Sequence, residues 1–162
     1  MNRERKESSF QRRSREMPEI DRNKIDRILS EIQQKLRDSL EPYCVEDLNG
    51  FERKRIHAFF DNKDDYETRT YRQEGRYVLK VIPIGNLKRL AKESADKVLQ
   101  TGQPVVLPYL GNYERFVIHN YLKDFDGIET KSVGEGLERR LEIKPIRFGR
   151  SLKRIIKKIK LI

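Results

Sequence analysis

Two histidines occur in the chain, His57 and His119, and each follows an arginine by four positions, Arg53 and Arg115. Four positions is about one helical turn, so a helix through either segment would set its Arg and His side by side. A guanidinium is a planar, permanently charged fork suited to phosphate oxygens, and a neighbouring imidazole can donate a hydrogen bond or stack on a base. Each pair therefore has the chemistry to grip one strand of nucleic acid. The same two side chains could instead bridge helix to sheet, through Glu129 or a backbone carbonyl, and spacing leaves both readings open. Nothing else in the sequence competes for chemistry. Cys44 is the single cysteine, no phosphate-binding glycine loop of P-loop type occurs, and the two histidines lie in separate segments. No catalytic residue, cofactor or metal is expected.

The two pairs sit in a repeat. Sliding the sequence by 62 positions lays residues 23–84 on 85–146 without a gap and makes 15 positions identical. Chance alone would give roughly four, so a duplication is the better explanation. Phe51-Glu52-Arg53 and Ile56-His57 lie on Tyr113-Glu114-Arg115 and Ile118-His119, Glu67-Thr68 lies on Glu129-Thr130, and Pro83-Ile84 lies on Pro145-Ile146.

The elements that must position these residues follow from periodicity. Leu87, Leu90, Ala91, Ala95, Val98 and Leu99 recur at helical spacing up to Gly102, and Ile25, Ile28, Leu29, Ile32 and Leu36 do so in the first copy. Pro104–Leu107 reads as an edge strand. Asn112 stands where an N-cap would open a second helix through about Lys123. Ile128–Val133 and Leu137–Ile143 read as a hairpin around Gly134-Glu135-Gly136. The expected class is α+β. Two tandem helix-strand-helix-strand-strand units each lay their helices on one face of a three-stranded sheet, and the pair packs together, with a pseudo-two-fold axis as one option. Residues 1–22 are expected to be disordered, 23–84 and 85–146 to be the units, and 147–162 to form a basic amphipathic helix.

The segment LPYLGNYERFVIHNYLKDFDGIETKSVGEGLERRLEI resembles the R3H domain, in the version that ends bacterial Jag proteins. The resemblance rests on Tyr113-Glu114-Arg115, Ile118-His119, the Ser132-x-Gly134-Glu135 turn and Arg139-Arg140. Residues 42–83 look like a diverged second copy, with Thr70-Tyr71-Arg72-Gln73-Glu74-Gly75 in place of that turn. The chain departs from Jag as a whole in having no Gly-x-x-Gly loop of a KH domain. The resemblance implies three antiparallel strands with helices on one side, and affinity for single-stranded RNA or DNA with little sequence preference, RNA being favoured. On this reading Arg115 and His119, with Arg139 and Arg140 at the edge and Lys131 beside them, make the main strand contact. Arg53, His57 and Arg72 form a weaker copy, and Arg69, Arg76 and Lys80 extend its basic rim.

Charge placement qualifies this. The formal charge is +10, yet residues 147–162 hold seven Lys/Arg and no acid, while residues 23–146 hold 22 basic and 21 acidic side chains. A uniformly basic nucleic-acid coat is therefore excluded, and any polyanion site on the body comes from local arrangement. In the tail, Leu152, Ile155, Ile156 and Ile159 share one helical side, and Arg150, Lys153, Arg154, Lys157 and Lys158 are candidate polyanion contacts. Such a helix suits RNA phosphates, an anionic membrane surface or a protein partner, so a protein-interaction or membrane-associated scaffold is the alternative function. No small-molecule substrate is implied. The lone cysteine and the lack of an apolar run near the N-terminus suggest a cytoplasmic protein.

Overall fold

The computed structural model describes residues 19–146. The first half runs α1 (Glu19–Leu36), β1 (Tyr43–Val45), α2 (Gly50–Phe60), β2 (Glu67–Gln73) and β3 (Arg76–Ile82). The second runs α3 (Ile84–Thr101), β4 (Val105–Val106), α4 (Asn112–Leu122), β5 (Ile128–Val133), a 3-10 turn (Gly136–Glu138) and β6 (Arg140–Pro145). The strands form two antiparallel three-stranded sheets, ordered β1-β3-β2 and β4-β6-β5. Residues 1–18 of the segment expected at 1–22, and all of 147–162 with the basic tail helix expected there, lie outside the described residues. The helix α1 begins at Glu19, inside the segment read as unstructured, because the apolar period that marks it starts only at Ile25.

Period-two alternation assigns each sheet two faces. In the first sheet Leu79 and Val81 are fully buried and pack with Ile32, Leu36, Ile56 and Phe60 of the two helices. In the second, Leu141 and Ile143 join Leu87, Ala91, Ala95, Val98 and Ile118. The helix α3 ends at Gly102, whose φ of 66° lets its N–H reach the Val98 carbonyl, a left-handed stop that favours glycine. The edge strands β1 and β4 each follow a proline and are short, which suits an edge where one backbone donor is missing.

Asn112 is not the N-cap. Gly111 occupies that place and Asn112 is the first helical residue, whereas Asn49 caps α2 with a full capping box. The last strand starts at Arg140 rather than Leu137, since Gly136–Glu138 form a 3-10 turn. The first hairpin turns more tightly, through Glu74 and Gly75, both at positive φ.

The halves join head to tail. Ile82 and Ile84 belong to the second core, so β3 feeds it directly. Asn86 donates to the Leu36 carbonyl at 2.8 Å and the Ser39 carbonyl at 2.9 Å, occupying the open end of α1. The outer face of the first sheet meets the start of α4: the Tyr113 hydroxyl donates to Glu67 at 2.6 Å, and the Arg69 guanidinium lies 3.8 Å over the Tyr113 ring. A two-fold arrangement would pair Phe51 with Glu129 and Lys131 in the same way. Phe51 is instead exposed, and Glu129 lies 3.6 Å from Lys144, so the contact is heterologous.

Candidate nucleic-acid interface

The Arg and His of each half separate in role. On α4, Arg115 is only 7% exposed. One of its amino groups donates to the Leu110 carbonyl at 2.5 Å and more distantly to the Arg139 carbonyl at 3.4 Å, and the other donates to the Asn112 side chain. Arg115, expected from sequence to contact the strand, is placed as a brace that ties the loop before α4 to the start of β6. Burying a guanidinium is costly unless hydrogen bonds compensate, and three acceptors engage three of its five N–H groups here.

His119 is exposed, one turn further along. Its Nδ1 is 2.5 Å from the Thr130 hydroxyl, and among the described residues nothing engages Nε2. Glu129, the partner considered from sequence, points to the other face of β5, and the Thr beside it does the bridging because strand side chains alternate. His57 is more committed, with Thr68 at 2.5 Å on Nδ1 and Thr70 at 2.9 Å on Nε2. The repeated Glu-Thr step was the visible sign of this contact.

Arg115, Phe116, His119, Thr130, Ser132 and Arg139 line an open groove of about 360 Å³. Arg139 is exposed at its edge, and Phe116 is 58% exposed beside it. Lys131 and Arg140 do not join them: both alternate to the opposite face, Lys131 opposite Glu142 in register, and Arg140 over the Tyr109 ring at 5.0 Å. The continuous basic rim expected from sequence is therefore split by the sheet itself. Gly134, at φ 83°, is needed because a Cβ there would lie 2.7 Å from the Glu138 carbonyl oxygen, so the glycine serves loop closure.

In the first half, Arg53 donates to the Leu48 carbonyl at 2.5 Å and stacks 4.4 Å over the exposed Tyr77 ring, with Arg72 5.9 Å from the same ring. Arg72 and His57 share the helix side of β2, whereas Arg69 and Lys80 face away from it. Burial pushes the Tyr113 hydroxyl up to about 12, helped by the Glu67 carboxylate it bonds. Burial alone would raise Glu67, but hydrogen bonds from Tyr113 and Arg69 outweigh it and hold the carboxyl below its ordinary range. The tail residues Arg150, Lys153, Arg154, Lys157 and Lys158 fall outside the described residues. No helix of the described residues is long and apolar enough to cross a membrane.

An antiparallel three-stranded sheet, carrying on one face a helix with Arg and His one turn apart, defines the class of module the sequence resembles. Residues 85–145 match the family model of the R3H domain, a single-stranded nucleic-acid-binding module. The match spans the second half from the start of α3 to the end of β6. No curated protein matches the chain.

Proposed function

We propose that the protein binds single-stranded nucleic acid without catalysing a reaction, RNA in preference to DNA, with little sequence specificity. The observation that carries this is the groove beside α4, where the unengaged Nε2 of His119, the exposed Arg139 and the exposed Phe116 ring offer a donor, a cation and a stacking face together. Thr130, Ser132 and Asn112 supply hydroxyl and amide groups that suit a 2′-hydroxyl, the group that separates RNA from DNA.

The first half is read as a diverged tandem copy, on the 62-residue repeat and the recurring element order, and as a weaker site because both His57 nitrogens are filled. The reading includes a cytoplasmic protein of Jag-like kind, with the basic residues 147–162 adding phosphate contacts. Fluorescence anisotropy of a labelled short single-stranded RNA, titrated with the full chain over a salt series, tests it. Binding that weakens linearly in log salt supports the reading. Salt-insensitive binding, or binding only to anionic vesicles, would favour the scaffold alternative.

A further inference from the structure

Where the halves meet, a cleft of about 390 Å³ opens between the outer face of the first sheet and the loop leading into α4. Tyr71, Lys80, Tyr109, Tyr113 and Glu114 line it. Two of these phenols are accessible, Tyr71 at 37% and Tyr109 at 47%, and each has a cation against its ring, Lys80 at 5.2 Å and Arg140 at 5.0 Å. Lys80 and Arg140 are two of the basic residues, with Arg69 and Lys131, that the alternation of the strands withdraws from the Arg/His face.

Glu114 marks the cleft as more than a seam. Its counterpart Glu52 is fully employed, receiving Lys24 at 2.6 Å and the Asn49 backbone N–H at 2.8 Å. In the second half Asn86 stands in the place of Lys24 and is spent on the end of α1, and Gly111 stands in the place of Asn49. Glu114 is 6% exposed, folds over Gly111 where a Cβ would collide with its carboxylate, and accepts no hydrogen bond among the described residues. Among the described residues no side-chain oxygen is both buried and without a partner, so the Glu114 carboxylate reaches solvent and stands open to a donor from a ligand.

We infer that this cleft is a nucleobase site, in which one base of a bound single strand stacks on Tyr109 or Tyr71 and donates N–H groups to Glu114 while Lys80 and Arg140 meet the flanking phosphates. The inference rests on the single-strand reading and adds to it a second contact, at a junction of the two halves. Guanine fits best, because its ring N–H and exocyclic amine are adjacent and match the two oxygens of a carboxylate, whereas uracil offers a single N–H.

The test uses the full chain and a short single strand carrying one 2-aminopurine, whose emission falls on stacking and is read free of tryptophan because the chain has none. The parent is expected to quench it. Of Tyr109→Ala and Tyr71→Ala, both at exposed rings, the one that removes the stacking ring is expected to lose quenching and about 5- to 150-fold in affinity, the range for one stacked base. Glu114→Gln, checked for folding by circular dichroism, is expected to abolish a severalfold preference of the parent for a guanine-containing over a uracil-only strand. His119→Ala should weaken binding but keep the quenching at saturation. If the parent binds and both tyrosine variants match it, the cleft is overturned while the groove stands. A parent without the guanine preference overturns the role of Glu114, and a parent that binds no strand overturns cleft and function together.

Discussion

Replacing Arg115 by Met keeps most of the side-chain volume and removes the guanidinium. The carbonyl of Leu110, itself buried, loses a charge-assisted bond of 2.5 Å, and that of Arg139 loses a weaker one at 3.4 Å. A hydrogen bond to a charged group contributes about 1.5–3 kcal/mol and the second, long contact less, so the loss is about 2–4 kcal/mol. That is a large part of the roughly 5–15 kcal/mol that stabilises a typical domain, and amounts to a fall of roughly 10 °C in Tm at this size. Arg53→Met removes a similar bond to the Leu48 carbonyl, but from a half-buried guanidinium, so solvent screening reduces the cost to about 1 kcal/mol. Urea unfolding followed by circular dichroism measures both, and anisotropy at a temperature where each variant is folded measures binding. The expected result is a large stability loss with a smaller binding loss for Arg115→Met. A variant that unfolds with the parent yet binds RNA more than tenfold more weakly would refute the brace and restore Arg115 as a strand contact.

His119→Ala and Arg139→Ala, at exposed positions, should each weaken RNA binding about tenfold in the anisotropy assay while shifting the urea midpoint little. Gly134→Ala forces a side chain into positive φ and against the Glu138 carbonyl, and is expected to cost about 1–3 kcal/mol in urea unfolding, more than Gly75→Ala, where a Cβ meets nothing. Burial pushes the Glu52 carboxyl up, but the bonds from Lys24 and from the Asn49 backbone outweigh it, so its folded pKa is lowered. The stability it contributes is therefore present above the unfolded value of about 4.3 and lost as pH falls through the lower folded value, and Glu52→Gln should flatten the acid limb of a Tm-against-pH curve. Tyr113, raised to about 12, behaves oppositely at the alkaline end, where its contribution is lost as pH rises from the ordinary 10 through 12. An absorbance titration of Tyr113→Phe should lack that late phenol.

The elements were legible because their signals are local. The apolar period of Leu87 to Val98 and its glycine stop place α3, and Ile128 to Val133 is the observed β5. The site was less legible, for reasons of geometry. Helical spacing places Arg115 and His119 one turn apart but is silent on which lies under the loop from Leu110, and that loop decides which is buried. The fate of Lys131 and Arg140 depends on strand parity, and the 3-10 turn at Gly136–Glu138 moves the start of β6 to Arg140. The meeting of Tyr113 with Glu67 and Arg69 joins residues 46 and 44 positions apart and breaks the equivalence of the two halves, which no repeat can announce. The cleft between Tyr71 and Tyr109 follows from that asymmetry.

The most direct measurement is the affinity of the full chain for a short single-stranded RNA over a salt series, beside His119→Ala and Arg139→Ala and a duplex of the same sequence. Tight binding of the single strand, weakening linearly with log salt and reduced about tenfold in each variant, with the duplex bound more weakly, is the predicted result. Equal binding by parent and both variants, or no binding of the single strand at low salt, would contradict it.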